Sequence, residues 1–196
     1  MIRFKRFLLI TIVSIFSVSA FSQVSVGYRN MRHIYVGYNI NKLFSAEVEH
    51  SLYTEKFGFQ RVRLYATYHQ DFNHFGIKAT PYFGTLWNGK YQDFGAHISA
   101  AYTFGRFTPS LLANPNYDTQ LKFKFNYSGS LNVRIIKELD IFGEFTTIPE
   151  YRLSEKRIRL GGDFHVGKLS ARPTVSLPVE NGTKSVRVYC DFRYDF

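Results

Sequence analysis

The sequence has a single cysteine, Cys190, so no disulfide can form within the chain. After residue 22 it also lacks any window with the stripe of apolar residues that marks an amphipathic helix. No spacing of His, Cys or carboxylate residues indicates a zinc site, and no glycine-rich loop indicates a phosphate site. We therefore expect a chain built without helices, disulfides or cofactors.

The first 22 residues have the three parts of a cleavable signal peptide. A basic start is followed by the apolar run 7–18 and then by small residues. The apolar run is too short to cross about 30 Å of hydrocarbon as a helix, which needs roughly 20 residues. We expect residues 1–22 to be removed, with the cut after Ala20 or Ser22, and residues 23–196 to form one exported domain.

The rest of the chain alternates apolar and polar residues, which is the pattern of strands with one apolar face. The clearest run is Phe-Ser-Ala-Glu-Val-Glu over 44–49. Asn88-Gly89 and Asn181-Gly182 favour two-residue hairpin turns. The first would set Phe83 opposite Phe94 and the second Val175 opposite Val188, so both turns align apolar residues with apolar residues. Many runs have about 10 residues or more, which suits tilted membrane-spanning strands better than soluble strands of about 5 or 6.

The last run places an apolar or aromatic residue at every second position. These residues are Val186, Val188, Cys190, Phe192, Tyr194 and Phe196. The run resembles the C-terminal strand of bacterial outer-membrane β-barrels, which typically ends in an aromatic residue. In overall size the chain is similar to the small OmpA-type barrels. The resemblance implies insertion in the outer membrane, with Phe192, Tyr194 and Phe196 as an assembly signature that the barrel-assembly machinery recognises.

We predict an all-β fold, a single antiparallel up-and-down transmembrane β-barrel of ten strands, with eight and twelve as alternatives. The predicted strands are 24–40, 43–53, 57–69, 74–87, 90–106, 119–136, 139–148, 156–167, 169–177 and 185–196. Residues 107–118 are predicted to form a loop. In the first strand, Asn30 and Arg32 fall on positions that the alternation assigns to the apolar face. Turns at 54–56, 88–89, 137–138 and 167–168 are expected to lie together at the periplasmic end.

If the apolar faces contact lipid, the charged faces line the lumen, where buried charges need partners. The lumen charges predicted to pair across strands are Glu47, Glu49, Arg61, Arg63, Asp163, Arg172 and Asp191. A turn at 54–56 would set Glu49 opposite Arg61 and Glu47 opposite Arg63. The turns at 167–168 and 181–182 would set Arg172 between Asp163 and Asp191. Barrels near eight strands can be filled by their own side chains. We therefore predict a largely closed barrel with a structural or interaction role, and as the alternative a narrow channel for ions or small polar solutes.

A third interpretation is a lipid-modifying enzyme of the outer membrane. The predicted register sets His165 opposite Ser170, with Asp163 on the same face, and these are the residue types of a hydrolytic triad. No donor for an oxyanion can be identified beside them, and residue types alone are weak evidence. We therefore assign no catalytic residues, and an enzymatic activity is not the prediction.

The chain has 25 Lys and Arg against 15 Asp and Glu, and the excess persists when the signal is removed. Export makes nucleic acid an improbable partner. We expect the barrel to contact outer-membrane lipid and, through basic residues near the outer rim, the phosphates of lipopolysaccharide. The rim residues in question are Arg106, Lys122, Arg152, Lys156, Arg157 and Lys184. The oligomeric state is left open.

Overall fold

A computed structural model describes residues 23–30, 32–52, 60–89, 92–119, 122–148, 156–179 and 186–196. Within these ranges no helix has the length and apolar character needed to cross a membrane. The predicted signal segment 1–22, the turn at 54–56 and the Asn181-Gly182 turn lie outside the described residues. The strands are β1 (Val24–Arg29), β2 (His33–Asn39), β3 (Phe44–Ser51), β4 (Arg61–Phe72), β5 (Phe75–Leu86), β6 (Gln92–Tyr102), β7 (Phe107–Asp118), β8 (Lys122–Ile136), β9 (Leu139–Thr146), β10 (Arg157–Val166), β11 (Leu169–Pro178) and β12 (Arg187–Asp195).

The strands form one closed antiparallel barrel. Each strand pairs with its sequence neighbours, and β1 also pairs with β12, which joins the two edges of the sheet. The joining register runs from Ser25 opposite Asp195 to Tyr28 opposite Phe192. Closure leaves no open sheet edge, as hydrocarbon requires. The predicted all-β barrel is thus confirmed, but the predicted ten strands are wrong because the barrel has twelve.

The first error lies in the run 24–40, which is two strands rather than one. Asn30 adopts a left-handed backbone conformation with φ of 53°, which asparagine tolerates better than most residues. The Arg32 amide then donates to the Arg29 carbonyl oxygen at 3.0 Å, which closes a tight turn. Asn30 and Arg32 are polar at positions of the apolar face because they belong to this turn. The alternation of apolar and polar residues begins again in β2.

The second error is the predicted loop at 107–118, which is strand β7. It contains Pro109 and Pro115, and proline cannot donate to a sheet ladder. The ladder between β6 and β7 omits the pair Ala96–Pro115, and the Asn114 side-chain amide instead donates to the Ala96 carbonyl oxygen at 3.1 Å. A side-chain donor therefore replaces the missing backbone donor, and the strand stays in the barrel.

The two added strands change which turns share an end of the barrel. One end, called the turn end, carries the short connections 40–43, 73–74, 103–106, 137–138 and 167–168. The other end, called the loop end, carries the connections 30–32, 52–60, 87–91, 119–121, 147–156 and 179–186. Asn88-Gly89 therefore lies opposite to 137–138, contrary to the prediction. The hairpin register itself is as predicted, with Phe83 opposite Phe94.

The barrel is apolar outside and polar inside. Leu111 and Val188, on the outer face, are 71% and 70% exposed, whereas Glu49 and Asp93, on the inner face, are each 4% exposed. A soluble protein buries these residue types the other way round. Paired aromatic rings such as Phe104 and Phe107 lie on the outer face near the strand ends, where aromatic girdles of membrane barrels occur.

Candidate functional site

The lumen is the candidate site, and its most tightly packed layer includes Arg29. The Arg29 guanidinium lies 2.9 Å from a Glu47 carboxylate oxygen and 2.8 Å from a Glu49 oxygen. It also stacks over the Tyr35 ring at 4.5 Å. The Tyr65 hydroxyl donates to Glu49 at 3.2 Å. The Arg29 guanidinium thus binds two carboxylates. With the Tyr65 hydroxyl, it gives the nearly inaccessible Glu49 carboxylate its hydrogen-bond partners.

A second cluster of the same layer is centred on Asp93. Its Oδ2 atom accepts from Arg63 Nε at 3.0 Å and lies 3.6 Å from Arg61 Nη1. Arg63 also stacks over the Tyr82 ring at 4.9 Å. A side chain at Gly84 would overlap the Asp93 carboxylate, so glycine is needed there for β4 and β6 to share this ion pair across β5.

Tyrosine rings fill the space between these charges. Tyr35, Tyr65 and Tyr82 are 8%, 9% and 8% exposed, and we call them the tyrosine layer. The ring centroids of Tyr65 and Tyr82 are 5.7 Å apart, and His97 lies 5.2 Å from Tyr82. Ring spacings of this kind are typical of packed aromatic pairs. The tyrosine layer is therefore a packed, nearly inaccessible part of the lumen lining.

The opposite wall has its own charge cluster around Arg172. Arg172 Nη1 lies 3.4 Å from Asp163 Oδ2, and the guanidinium stacks over the Phe142 ring at 4.0 Å. Asp191 lies opposite Arg172 in the ladder and accepts from the Asn30 backbone amide at 2.6 Å. Arg172 thus lies between the two carboxylates that the sequence assigned to it, and their role in a pore or a plug remains a prediction.

On the first wall the predicted partners differ from the observed ones. Glu49 lies opposite Arg63, not Arg61, and Glu47 lies opposite Tyr65. The assumed turn at 54–56 was centred on residue 55, whereas the pairing of β3 with β4 is centred on residue 56, and this shifted the register by two residues. The sequence interpretation missed Arg29 because 24–40 was taken as one strand. Asp93 could have been found, because the predicted Asn88-Gly89 hairpin sets it opposite Gly84.

The three residues of the possible hydrolytic triad do not form one. His165 Nδ1 lies 3.1 Å from Ser170 Oγ, so the predicted contact between them is present. The Asp163 carboxylate, however, is engaged by Arg172. A triad needs its carboxylate on the histidine, to orient the ring and stabilise its charge. The geometry therefore gives no support to catalysis by Ser170.

The C-terminal strand β12 has the predicted alternation. Phe192 and Tyr194 are exposed on the outer face, and the Tyr194 and Phe196 rings meet edge to face at 5.0 Å. The Phe196 amide donates to the Val24 carbonyl oxygen at 2.9 Å, beside the junction of β1 and β12. These contacts stabilise the closed barrel, and a role as an assembly signature remains a prediction.

The basic residues expected at the outer rim are dispersed. Lys122 and Lys156 lie at the loop end, whereas Arg106 lies at the turn end. Arg157 faces the lumen, is 1% exposed and donates from Nε to Ser176 Oγ at 2.7 Å. Arg152 and Lys184 lie outside the described residues. Among the described residues of this set, Arg106 and Arg157 are therefore not at the outer rim, and contact with lipopolysaccharide remains a prediction.

Comparison with solved structures identifies the fold. The KdgM porin, solved in complex with disordered oligogalacturonate, superposes with a TM-score of 0.68 at 10% identity, covering 88% of this chain and 97% of that one. The fold is that of an outer-membrane porin. The NanC porin superposes with a TM-score of 0.51 at 11% identity, covering 87% and 95%. No family model matches the sequence, and none of the curated proteins does.

The porin fold and the apolar outer surface together make this chain an outer-membrane β-barrel protein. Short turns of such barrels face the periplasm and longer loops face outward. By this rule the turn end is periplasmic and the loop end is extracellular. The tyrosine layer then lies in the extracellular half of the lumen, because Tyr65 and Tyr82 are closer to the loop end of their strands.

Proposed function

We propose that the barrel is a narrow channel for ions or small polar solutes. The observation that carries the proposal is the direction of the lumen contacts. Arg29 on β1 reaches Glu47 and Glu49 on β3, and Arg63 on β4 reaches Asp93 on β6. These contacts, and those around Arg172, join strands that are adjacent or next but one. They therefore run along the wall rather than across the lumen.

The strand number also supports a channel. The expectation of a filled lumen depended on a barrel near eight strands, whose interior side chains can fill. Barrel diameter grows roughly linearly with strand number, so twelve strands enclose a wider interior. Water-accessible lumen side chains fit this interior, since the side chains of Arg172 and Arg193 are 40% and 45% exposed.

The porin neighbours support the same function. The KdgM porin is in complex with oligogalacturonate, which makes acidic sugars one class of solute to test on this chain. The competing candidate is the closed barrel with a structural or interaction role. The tyrosine layer favours it, because these rings and Glu49 are nearly inaccessible. The two candidates differ in whether this layer leaves a continuous passage.

Single-channel recording in a planar bilayer tests the proposal. The protein is first shown to be folded by heat-dependent migration on a gel. Discrete steps are expected, and Tyr65→Ala should increase their size because it removes a lumen-facing ring from the tyrosine layer. Tyr68→Ala is the matched control, since Tyr68 packs against Phe44 on the outer face of the same strand. Folded protein that produces no steps would support the closed barrel.

A further inference from the structure

Lys78 differs from the other charged residues of the lumen. It lies on the inner face of β5, opposite His69 on β4 and Ser99 on β6, in the periplasmic half of the barrel. Its side chain is exposed, although it lies inside the barrel. Among the residues that the structure describes, it has no ion pair and no hydrogen bond. Its ammonium group therefore faces the water of the lumen.

The charges around Lys78 do not neutralise it. Glu47, Arg29 and Arg193 are the charged groups that act on it. Both Glu47 oxygens are already engaged by Arg29, at 2.9 and 3.1 Å. Arg193 is bonded to Asp195 at 2.7 Å. The ammonium group is thus a positive charge without a paired carboxylate, and the two nearby arginines, Arg29 and Arg193, are already paired with other carboxylates.

No described carboxylate is paired with Lys78. Most lumen-facing carboxylates of the described strands are held by arginines, as Asp93 is by Arg63 and Glu144 by Arg159. Asp71 is held only by His69, but its side chain is 65% exposed at the turn end of β4, where water screens its charge. Paired charges largely cancel at the distance of a passing ion, whereas an unpaired charge does not. The field along the periplasmic half of the lumen is therefore positive at Lys78.

We infer that Lys78 is the residue that makes this channel select anions, including small carboxylates, over cations. The inference rests on the proposed channel function and adds the sign and the position of its selectivity. An ion passing about 4 Å from a unit charge in water gains or loses roughly the energy that changes its local concentration fivefold. Because chloride gains this energy where potassium loses it, removing Lys78 should change the ratio of chloride to potassium permeability by the square of that factor, about 25-fold.

The test measures the reversal potential in a potassium chloride gradient for wild type, Lys78→Gln and Lys78→Glu. Lys42→Gln is the control, because it removes the same charge from the exposed connection between β2 and β3. A second set uses Lys78→Cys in a Cys190→Ser background, where no other cysteine remains. A cationic thiol reagent should then restore anion preference, and an anionic reagent should reverse it.

The expected order of chloride preference is wild type and Lys42→Gln first, then Lys78→Gln, then Lys78→Glu. Channel steps with the same permeability ratio in all variants would refute the inference and leave the channel function intact. Folded wild type without any steps would refute both. Failure of folded Lys78→Cys to react with either reagent would also overturn it, because the side chain would then not face the water of the lumen.

Discussion

Asp93→Asn is expected to destabilise the barrel more than other charge-neutralising substitutions of similar size. The Asp93 side chain is 6% exposed, and its Oδ2 atom forms ion pairs with both Arg61 and Arg63. Asparagine keeps the shape but leaves two guanidinium groups without their carboxylate. Removing one partner of a buried ion pair costs about 3–5 kcal/mol. Because the arginine side chains are 14% and 20% exposed, lumen water can solvate them in part, so we expect about 3 kcal/mol.

A loss of about 3 kcal/mol lowers the folding equilibrium constant roughly a hundredfold. The assay is reversible urea unfolding in lipid vesicles, followed by the fluorescence of Trp87, the only tryptophan. Asp195→Asn is the control, because the Arg193–Asp195 pair is exposed, at 45% and 44% of the side chains. Such pairs contribute about 0–1 kcal/mol.

Equal effects of the two substitutions would refute the argument that enclosure makes the Asp93 pair important. The double variant Arg63→Gln with Asp93→Asn adds an independent check. If the two residues act as a pair, the double variant should lose less stability than the sum of the single variants. Strict additivity would mean that the short contact between them has no energetic role.

Three further predictions concern other parts of the barrel. Leu111→Arg should lower the free energy of unfolding in urea by about 2–4 kcal/mol, because Leu111 faces lipid in the middle of β7. Leu112→Arg should lower it less, because Leu112 faces the lumen. The opposite order would contradict the assignment of β7 as a membrane strand. Arg172→Glu would place a third carboxylate between Asp163 and Asp191, so it should lower the midpoint of urea unfolding more than the control Lys168→Glu in an exposed turn. Equal shifts of the midpoint would argue against a stabilising role of the Arg172 cluster. Deletion of Phe196 should reduce the heat-modifiable, membrane-inserted fraction in cells, and normal insertion would remove its role in assembly.

The sequence predicted the barrel well wherever alternation was uninterrupted. The hairpin at Asn88-Gly89 was placed in its correct register because turn chemistry and facial alternation agree there. The pairing of Val175 with Val188 was also correct, although the turn between them lies outside the described residues. In each case two local signals fixed the same register, so no knowledge of distant contacts was needed.

The errors arose where one local signal outweighed another. Asn30 was treated as an irregularity within a strand, although asparagine accepts left-handed conformations and marks turns. In 107–118 the predicted loop overlooked an alternation that is visible in the sequence, with Leu111 and Ala113 on one face and Asn114 and Asn116 on the other. The compensating bond from Asn114 to Ala96 is a tertiary contact that the sequence alone does not show.

The lumen clusters were harder to predict than the strands. The Arg63–Asp93 contact passes over Gly84, so it joins strands that are not neighbours. Arg29 reaches Glu47 in the same way, across β2. Cross-strand matching considers adjacent strands only, and long arginine side chains in a narrow lumen extend beyond them. The alternation of the strands therefore identified which charged side chains face the lumen, but not which of them form ion pairs.

The strand count has a practical consequence for work on living cells. Each hairpin reverses the chain, so the side on which a turn emerges depends on how many strands precede it. With the turn at Asn30 included, Asn88-Gly89 is at the extracellular end and Asn73-His74 at the periplasmic end. A peptide epitope inserted at Asn88-Gly89 should bind antibody on intact cells, whereas the same epitope at Asn73-His74 should be reached only after the outer membrane is opened.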